Sequence, residues 1–195
     1  MPSSRGYTLP EILIAMALIA LLTAIGLPFF KQTLERQRLE NKMHLLSSQF
    51  AGARLAAITQ QTPVSVCPSR GDNKCRQDSN WSNGWITYRD SSRKPQPISS
   101  KAILYQEQIT NNGSLSIIST SGRPRVRFLP DGRNAGSNIS IRFCNNDRLF
   151  GLIVINNLGR IRSQRILNTQ TCSTDQKIKN GLTIPKTSQK ETPFQ

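Results

Sequence analysis

The fold of this 195-residue chain is decided by residues 4–30, which read SRGYTLPEILIAMALIALLTAIGLPFF. The last nineteen of them, Ile12–Phe30, carry no charge, and Thr23 is the one polar side chain among them. As an α-helix this run is about 28 Å long, close to the thickness of the hydrocarbon core of a bilayer. A secretory signal peptide has a shorter apolar core, followed by a cleavage site and polar chain. We therefore predict a membrane-spanning helix in preference to a signal peptide or a buried core helix.

A carboxylate interrupts this pattern at its start. Glu11 lies at the edge of the apolar run, where an ionised side chain costs several kcal/mol and is usually paired or functional. Residues 4–11 and the helix behind them resemble the class III signal of type IV pilins and pseudopilins: a short basic leader, Gly, an aromatic residue, Thr-Leu, any residue and Glu. The resemblance implies that a prepilin peptidase cuts between Gly6 and Tyr7 and that Tyr7 becomes the N-methylated terminus. It also implies that Glu11 neutralises the terminal amine of a neighbouring subunit during assembly.

The helical pattern continues beyond the apolar run. Apolar residues recur at spacings of three and four residues, at Leu39, Met43, Leu46, Phe50, Ala53 and Ala57. Such a stripe predicts a helix that packs one face on a downstream domain. Because Pro63 cannot continue it, we expect one helix from residue 9 to about residue 60. The N-terminal part thus divides into a leader (1–6), a transmembrane and assembly half of the helix (7–30) and an amphipathic half (31–62).

Beyond residue 63 the chain has the pattern of short strands separated by polar turns. The candidate strands are Val64–Cys67, Trp85–Tyr88, Lys101–Gln106, Ser114–Ile118, Val126–Leu129, Ile139–Cys144, Leu152–Ile155 and Arg160–Leu167. No helical pattern lies between them, which predicts antiparallel sheets. A long N-terminal helix, membrane-spanning in its first half and packed on antiparallel β-sheets, resembles the α+β pilin fold of minor pilins and pseudopilins of the FimT/GspH type. We place the β-rich pilin domain at 63–172 and a basic tail, expected to be mobile, at 173–195.

The four cysteines permit three pairings. We favour Cys67–Cys75, which flank a polar loop, and with it Cys144–Cys172. Zinc is the alternative, but no Cys-x-x-Cys is present and the single histidine, His44, belongs to the helix. We therefore predict two disulfides, no metal and no cofactor, and disulfides fit a domain exported to an oxidising compartment.

The chain has 26 Lys and Arg residues against 11 Asp and Glu residues, a net charge of +15 at pH 7. A charge of this size indicates a polyanionic partner such as nucleic acid or anionic lipid. Residues 1–30 carry no net charge, residues 31–62 carry +3, and residues 63–130 and 131–195 carry +6 each. A lipid-binding cluster would concentrate the charge next to the membrane segment. The distribution instead favours a basic surface on the exported domain.

A compact basic motif, Gly159-Arg160-Ile161-Arg162, follows a predicted turn at 157–159. Alternate side chains of a strand project from one face about 6.6 Å apart, so Arg160 and Arg162 can contact successive phosphates. The Gly-Arg-x-Arg sequence resembles a C-terminal motif of DNA-binding FimT-like minor pilins used in natural transformation, which implies DNA binding by Gly159, Arg160 and Arg162. Candidates to extend this patch are Arg165, Arg142 and Arg133. The alternative is a solvated strand face whose arginines keep the protein soluble.

Two other groups of side chains have a pattern of their own. Arg123, Arg125 and Arg127 alternate onto one face, interrupted by Pro124. The aromatic residues at strand positions are expected to lie in the core rather than to stack on bases: Trp85, Tyr88, Phe128 and Phe143. Trp81 lies in a polar stretch, so both interpretations stay open for it.

Together these features predict a minor pilin of a type IV pilus that binds DNA, mostly through its phosphates, and supports DNA uptake in natural transformation. Its expected partners are DNA, other major and minor pilins, the prepilin peptidase and, before assembly, the inner membrane. We expect a cytoplasmic N-terminus and a periplasmic C-terminal domain that reaches the cell surface in the assembled pilus. The alternative is a structural minor pilin, or a type II secretion pseudopilin, that primes or caps a filament without binding DNA. An enzyme is not expected, because His44 has no triad partner and no phosphate loop or paired-carboxylate motif is present.

Overall fold

A computed structural model describes residues 8–110, 113–166 and 170–172, apart from the side chains of residues 25, 28, 29, 31 and 32. Within these residues the elements are one α-helix, α1 (Leu9–Thr59), a single 3₁₀ turn (Ser100–Ala102), and the strands β1 (Val64–Pro68), β2 (Gly84–Arg89), β3 (Ile103–Gln108), β4 (Leu115–Ser119), β5 (Val126–Phe128), β6 (Ile139–Asn145), β7 (Arg148–Ile155) and β8 (Ile161–Arg165). The predicted cleavage site between Gly6 and Tyr7 and the predicted tail at 173–195 lie outside the described residues.

Helix α1 is 51 residues long and has two different halves. In the first half the described apolar side chains are largely exposed, from Leu9 at 74% to Phe30 at 65%. Among the described residues, no helix has both the length and the hydropathy needed to cross a membrane. In the second half, all six residues of the predicted stripe are buried. The helix ends at Thr59, where the N–H of Gln60 still donates to the Ala56 carbonyl, ahead of the turn that leads to Pro63.

The eight strands form two antiparallel sheets of four. Sheet A has the order β3-β2-β1-β5, and sheet B has the order β4-β6-β7-β8. Each predicted strand is present, although β7 begins four residues earlier than predicted, at Arg148, and β8 begins one residue later, at Ile161. The early start of β7 reflects its tight hairpin with β6, in which Asn145 pairs with Arg148.

One core joins α1 to both sheets. Phe50 and Trp81 meet edge to face, with ring centroids 5.9 Å apart, and both side chains are fully buried. The four aromatic residues predicted to lie in the core are also fully buried. Trp81, whose role the sequence left open, is therefore a core residue. The predicted α+β pilin fold, with a long N-terminal helix on antiparallel sheets, is confirmed.

Two disulfides cross-link the domain, and their pairing is the one that the sequence favours. Cys67 and Cys75 close the loop after β1, and their Cα atoms are 5.5 Å apart. Cys144 on β6 is joined to Cys172, with Cα atoms 6.1 Å apart, so the chain beyond β8 is attached to sheet B. Since every cysteine is in a disulfide, none offers a thiolate to zinc.

Candidate functional site

The basic motif begins in a tight turn between β7 and β8. The N–H of Gly159 donates to the Asn156 carbonyl at 3.0 Å, and the N–H of Asn156 donates to the Arg160 carbonyl at 3.2 Å. The Asn156 side chain closes the turn, because its Oδ1 accepts the Arg160 N–H at 2.8 Å. Gly159 has φ of +73°, the left-handed conformation that follows the first turn in three-residue hairpin loops. The predicted turn at 157–159 therefore fixes where β8 starts and how Arg160, directly before the strand, is presented.

Gly159 has a packing role as well as a conformational one. A Cβ atom at this position would lie 2.0 Å from the carbonyl oxygen of Gly132, in the turn after β5. The same oxygen accepts a hydrogen bond from Nε of Arg54 on α1 at 2.9 Å. The β7–β8 turn, the turn after β5 and the helix thus meet at one point. Gly159 supports the site by permitting this contact.

Arg160 and Arg162 lie at the exposed edge of sheet B. β8 is an edge strand, and both arginines are exposed while Ile161 between them packs against the core. Neither guanidinium makes a hydrogen bond or an ion pair within the described residues. In the antiparallel pairing of β7 with β8, Arg162 lies opposite Val154. The two guanidiniums consequently project from the outer face of sheet B, away from α1.

Arg165 and Arg133 do not join them. Arg165 lies four residues after Ile161 and therefore on the same, inward face of β8. Its Nη1 lies 3.0 Å from a carboxylate oxygen of Glu40 on α1. Its guanidinium carbon is also 5.9 Å from the centroid of the Phe150 ring, a cation–π distance. Alternation along β8 turns Arg165 toward the helix, so the structure does not bring it together with Arg160 and Arg162.

Arg133 forms an ion pair within its own turn. Its Nε lies 2.6 Å from Asp131, and its backbone N–H donates to the other carboxylate oxygen at 3.0 Å. These hydrogen bonds, the backbone one above all, hold the pKa of Asp131 below its usual value. Arg133 is thus neutralised locally, which was not predicted.

Arg142 lies on the outer face of sheet B, as Arg162 does. It pairs with Leu152 of β7, which in turn lies opposite Gln164 of β8. One strand therefore separates Arg142 from the arginines of β8. Of the three arginines proposed to extend the patch, it is the one placed on the same face.

A second basic site lies where the two sheets are connected. A cleft of about 340 Å³ is lined by Gly122, Arg123, Pro124, Arg125, Arg127, Ala135 and Gly136. Nε of Arg127 lies 2.6 Å from Oδ2 of Asp90, a carboxylate that is only 1% exposed. The hydroxyl of Ser65 donates to the same oxygen at 2.6 Å. The alternation of the three arginines was visible in the sequence, but neither the cleft nor the buried partner was predicted.

Arg123 and Arg125 differ in what holds them. Nη1 of Arg123 donates to the Ser137 carbonyl at 2.8 Å, and Nη2 donates to the Ser137 hydroxyl. Arg125 is half-buried and makes no hydrogen bond or ion pair within the described part of the chain. Nearby, burial raises the pKa of Tyr88 above its usual value, and Asp90 acts in the same direction. The cleft therefore combines one neutralised arginine, one oriented arginine and one without a partner.

A 51-residue N-terminal helix on two antiparallel sheets, with two disulfides and a charged outer edge, defines a pilin-type protein. Residues 43–159 match the family described as Type II transport protein GspH, and the chain belongs to that family. Residues 1–27 match the prokaryotic N-terminal methylation motif. The predicted membership among minor pilins and pseudopilins of the FimT/GspH type is thereby confirmed. The GspH match ends at Gly159, so Arg160 and Arg162 lie just beyond it.

Two crystal structures of one minor pilin share the fold. The type IV minor pilin FimU of Pseudomonas aeruginosa is similar with a TM-score of 0.55 at 18% identity, over 71% of this chain and 98% of that one. A second crystal form of FimU has a TM-score of 0.52 at 16% identity, over 69% of this chain and 99% of that one. The minor pseudopilin EpsH of the Vibrio cholerae type 2 secretion system has a TM-score of 0.41 at 8% identity, over 65% and 95% of the two chains. None of the curated protein sequences matches the chain significantly.

Proposed function

We propose that this protein is a minor pilin of a type IV pilus that binds DNA through Arg160 and Arg162 and supports DNA uptake in natural transformation. The observation that carries the proposal is the pair of exposed guanidiniums at the start of β8, which have no partner within the described residues. Other arginines of the domain are neutralised by a carboxylate, as in Arg133–Asp131 and Arg165–Glu40. The unpaired arginines are therefore available to an external anion.

Their spacing suits a phosphodiester chain. Two residues along a strand span about 6.6 Å, so each guanidinium can take a separate phosphate through bidentate, charge-assisted hydrogen bonds. Contacts of this kind do not identify bases, because phosphates carry no sequence information. Binding is therefore expected to be weakly sequence-specific and to weaken steeply as salt rises.

The N-terminal segment would place this surface outside the cytoplasm. In the proposal, the peptidase cuts between Gly6 and Tyr7, Tyr7 is N-methylated, and the apolar first half of α1 is held in the inner membrane before assembly. Glu11 accepts the backbone N–H of Thr8 at 3.5 Å, a long hydrogen bond that leaves its carboxylate accessible at the start of α1. An incoming subunit's terminal amine can replace that weak bond with an ion pair.

The test uses two double variants of the full chain in a non-ionic detergent. Arg160→Gln with Arg162→Gln removes two unpaired charges, and Arg133→Gln with Arg165→Gln removes two paired ones. By fluorescence anisotropy with a short labelled duplex, we expect the first pair to weaken binding about tenfold or more at moderate salt, since two charge-assisted contacts are lost. The second pair should change affinity little. Equal losses would assign binding to net charge alone, and absence of DNA binding by the unmodified chain at low salt would end the proposal.

A structural role is the second candidate, and the GspH family match favours it. In that case the protein primes or caps a filament of a type II secretion system or a pilus, and the arginines of β8 contact acidic side chains of neighbouring subunits. The two candidates differ in one outcome. If the variant lacking Arg160 and Arg162 fails to assemble while the unmodified chain binds no DNA, the structural role is the correct one.

A further inference from the structure

We propose that the cleft lined by Arg123, Arg125 and Arg127 is a second phosphate-binding site, which holds the backbone of the same nucleic acid that β8 contacts. The inference rests on the proposed function, but it concerns a different part of the domain. The ligand class is a phosphate oxyanion, and its source is a phosphodiester rather than free inorganic phosphate.

The charge in the cleft is not balanced. Asp90 neutralises Arg127, because its buried carboxylate lies 2.6 Å from the Arg127 guanidinium. Arg123 donates to the carbonyl and hydroxyl of Ser137, which are neutral acceptors. Arg125 has no acceptor among the described residues. Two positive charges therefore face the cleft without a carboxylate, and an anion that accepts from both would satisfy them.

The cleft, of about 340 Å³, has room for a phosphate oxyanion. Gly122 and Gly136 both line it and leave the space next to the guanidiniums open. A Cβ atom on Gly136 would lie 3.3 Å from Nη1 of Arg123, so any side chain at this position would crowd the guanidinium. Ser137 fixes the plane of Arg123, which reduces the conformational entropy lost when an anion binds. The site is thus partly oriented before its ligand arrives.

The cleft and the β8 site are connected by one short segment, residues 134–138. On the cleft side, Ser137 holds Arg123. On the other side, the N–H of Asn134 donates to the Asn157 carbonyl at 3.1 Å, and the N–H of Asn157 donates to Oδ1 of Asn138 at 3.1 Å. Asn157 belongs to the turn that presents Arg160. One segment therefore positions both groups of arginines, which favours a polymeric phosphate chain that reaches both over a free anion that would occupy one.

The test measures how the affinity of the full chain for a short labelled duplex depends on salt. Each phosphate contact contributes about 0.9 to the slope of log affinity against log salt concentration. We expect Arg125→Gln to lower this slope by about 0.9, and Arg125→Lys to restore most of it. Lys101→Gln is the matched control, because it removes one exposed charge beside β3, at the edge of sheet A opposite β5. It should leave the slope unchanged.

Each outcome is decisive. A slope that falls with Arg125→Gln but not with Lys101→Gln supports the second site. Equal slopes for these two variants and the unmodified chain overturn the second site. The proposed function is then still supported if Arg160→Gln with Arg162→Gln weakens binding. A further experiment compares the affinity for the duplex in inorganic phosphate with that in chloride at equal ionic strength. If phosphate competes with the duplex only through Arg125 and the slope is unchanged, the cleft binds the free anion and the proposal of a phosphodiester is wrong. If the unmodified chain binds no duplex, both proposals fail together.

Discussion

Two groups of arginines in this domain look alike in sequence and differ in structure. In one group each guanidinium is paired with a carboxylate: Arg76 with Asp78, Arg127 with Asp90, Arg133 with Asp131 and Arg165 with Glu40. In the other group no hydrogen bond or ion pair is formed within the described residues, as for Arg125, Arg160 and Arg162. The net charge of +15 is therefore not spread evenly over one binding surface. Part of it holds the fold, and part of it is available to a partner.

The paired group itself ranges from buried to exposed. Asp90 is 1% exposed and has lost nearly all its water, so its interaction with Arg127 is only weakly screened. The Arg165–Glu40 pair is 36% and 25% exposed, and solvent screens it strongly. For Asp78, the hydrogen bond from Arg76 lowers the pKa of the carboxyl group below its usual value. Stability from these pairs therefore depends on burial more than on distance.

The largest effect is expected at the buried pair. Arg127→Gln leaves the Asp90 carboxylate buried without its cation, which should lower the free energy of unfolding by about 3–5 kcal/mol. Arg165→Gln is the matched control, and its partly exposed pair should cost no more than about 1 kcal/mol. Denaturant unfolding of the full chain in non-ionic detergent, followed by circular dichroism, measures both. Losses of similar size would show that burial does not separate the two pairs.

The next effect concerns the turn that presents the unpaired arginines. Gly159→Ala adds a left-handed backbone penalty and a Cβ atom 2.0 Å from the Gly132 carbonyl oxygen. We expect a loss of about 3 kcal/mol and weaker DNA binding, because the turn must move. Gly122 has φ of +72°, nearly the same as Gly159, but no atom lies within 4 Å of its added Cβ.

Gly122→Ala therefore isolates the backbone penalty, which we expect to be about 1 kcal/mol. The difference between the two alanine variants in the same unfolding assay measures the contact between the two turns. If both variants lose the same stability, the packing of Gly159 on Gly132 contributes nothing, and the glycine is required for its backbone conformation alone.

Much of the fold could be predicted from the sequence because its signals are local. The spacing from Leu39 to Ala57 predicted the buried face of α1, and alternating apolar residues predicted all eight strands to within a few residues. The end of α1 was predicted by Pro63. Because these signals depend only on neighbours along the chain, they can be recognised without a structure.

The candidate site could be predicted only in part, because partners come from far along the chain. Glu40 is 125 residues from Arg165, and Asp90 is 37 residues from Arg127, so no local pattern shows that these arginines are occupied. Gly159 was assigned to the motif, but its contact with Gly132 is between two turns that only the fold brings together. The direction of Arg165 could have been predicted, since its odd offset from Arg162 along the strand places it on the other face of β8.

The most direct test of the division between paired and unpaired arginines is NMR of the arginine Nε–Hε groups in the full chain, titrated with a short DNA duplex. We expect the signals of Arg125, Arg160 and Arg162 to shift, and those of Arg76, Arg133 and Arg165 to stay in place at moderate salt. Shifts of equal size in both sets, or shifts confined to the second set, would contradict the division between paired and unpaired arginines.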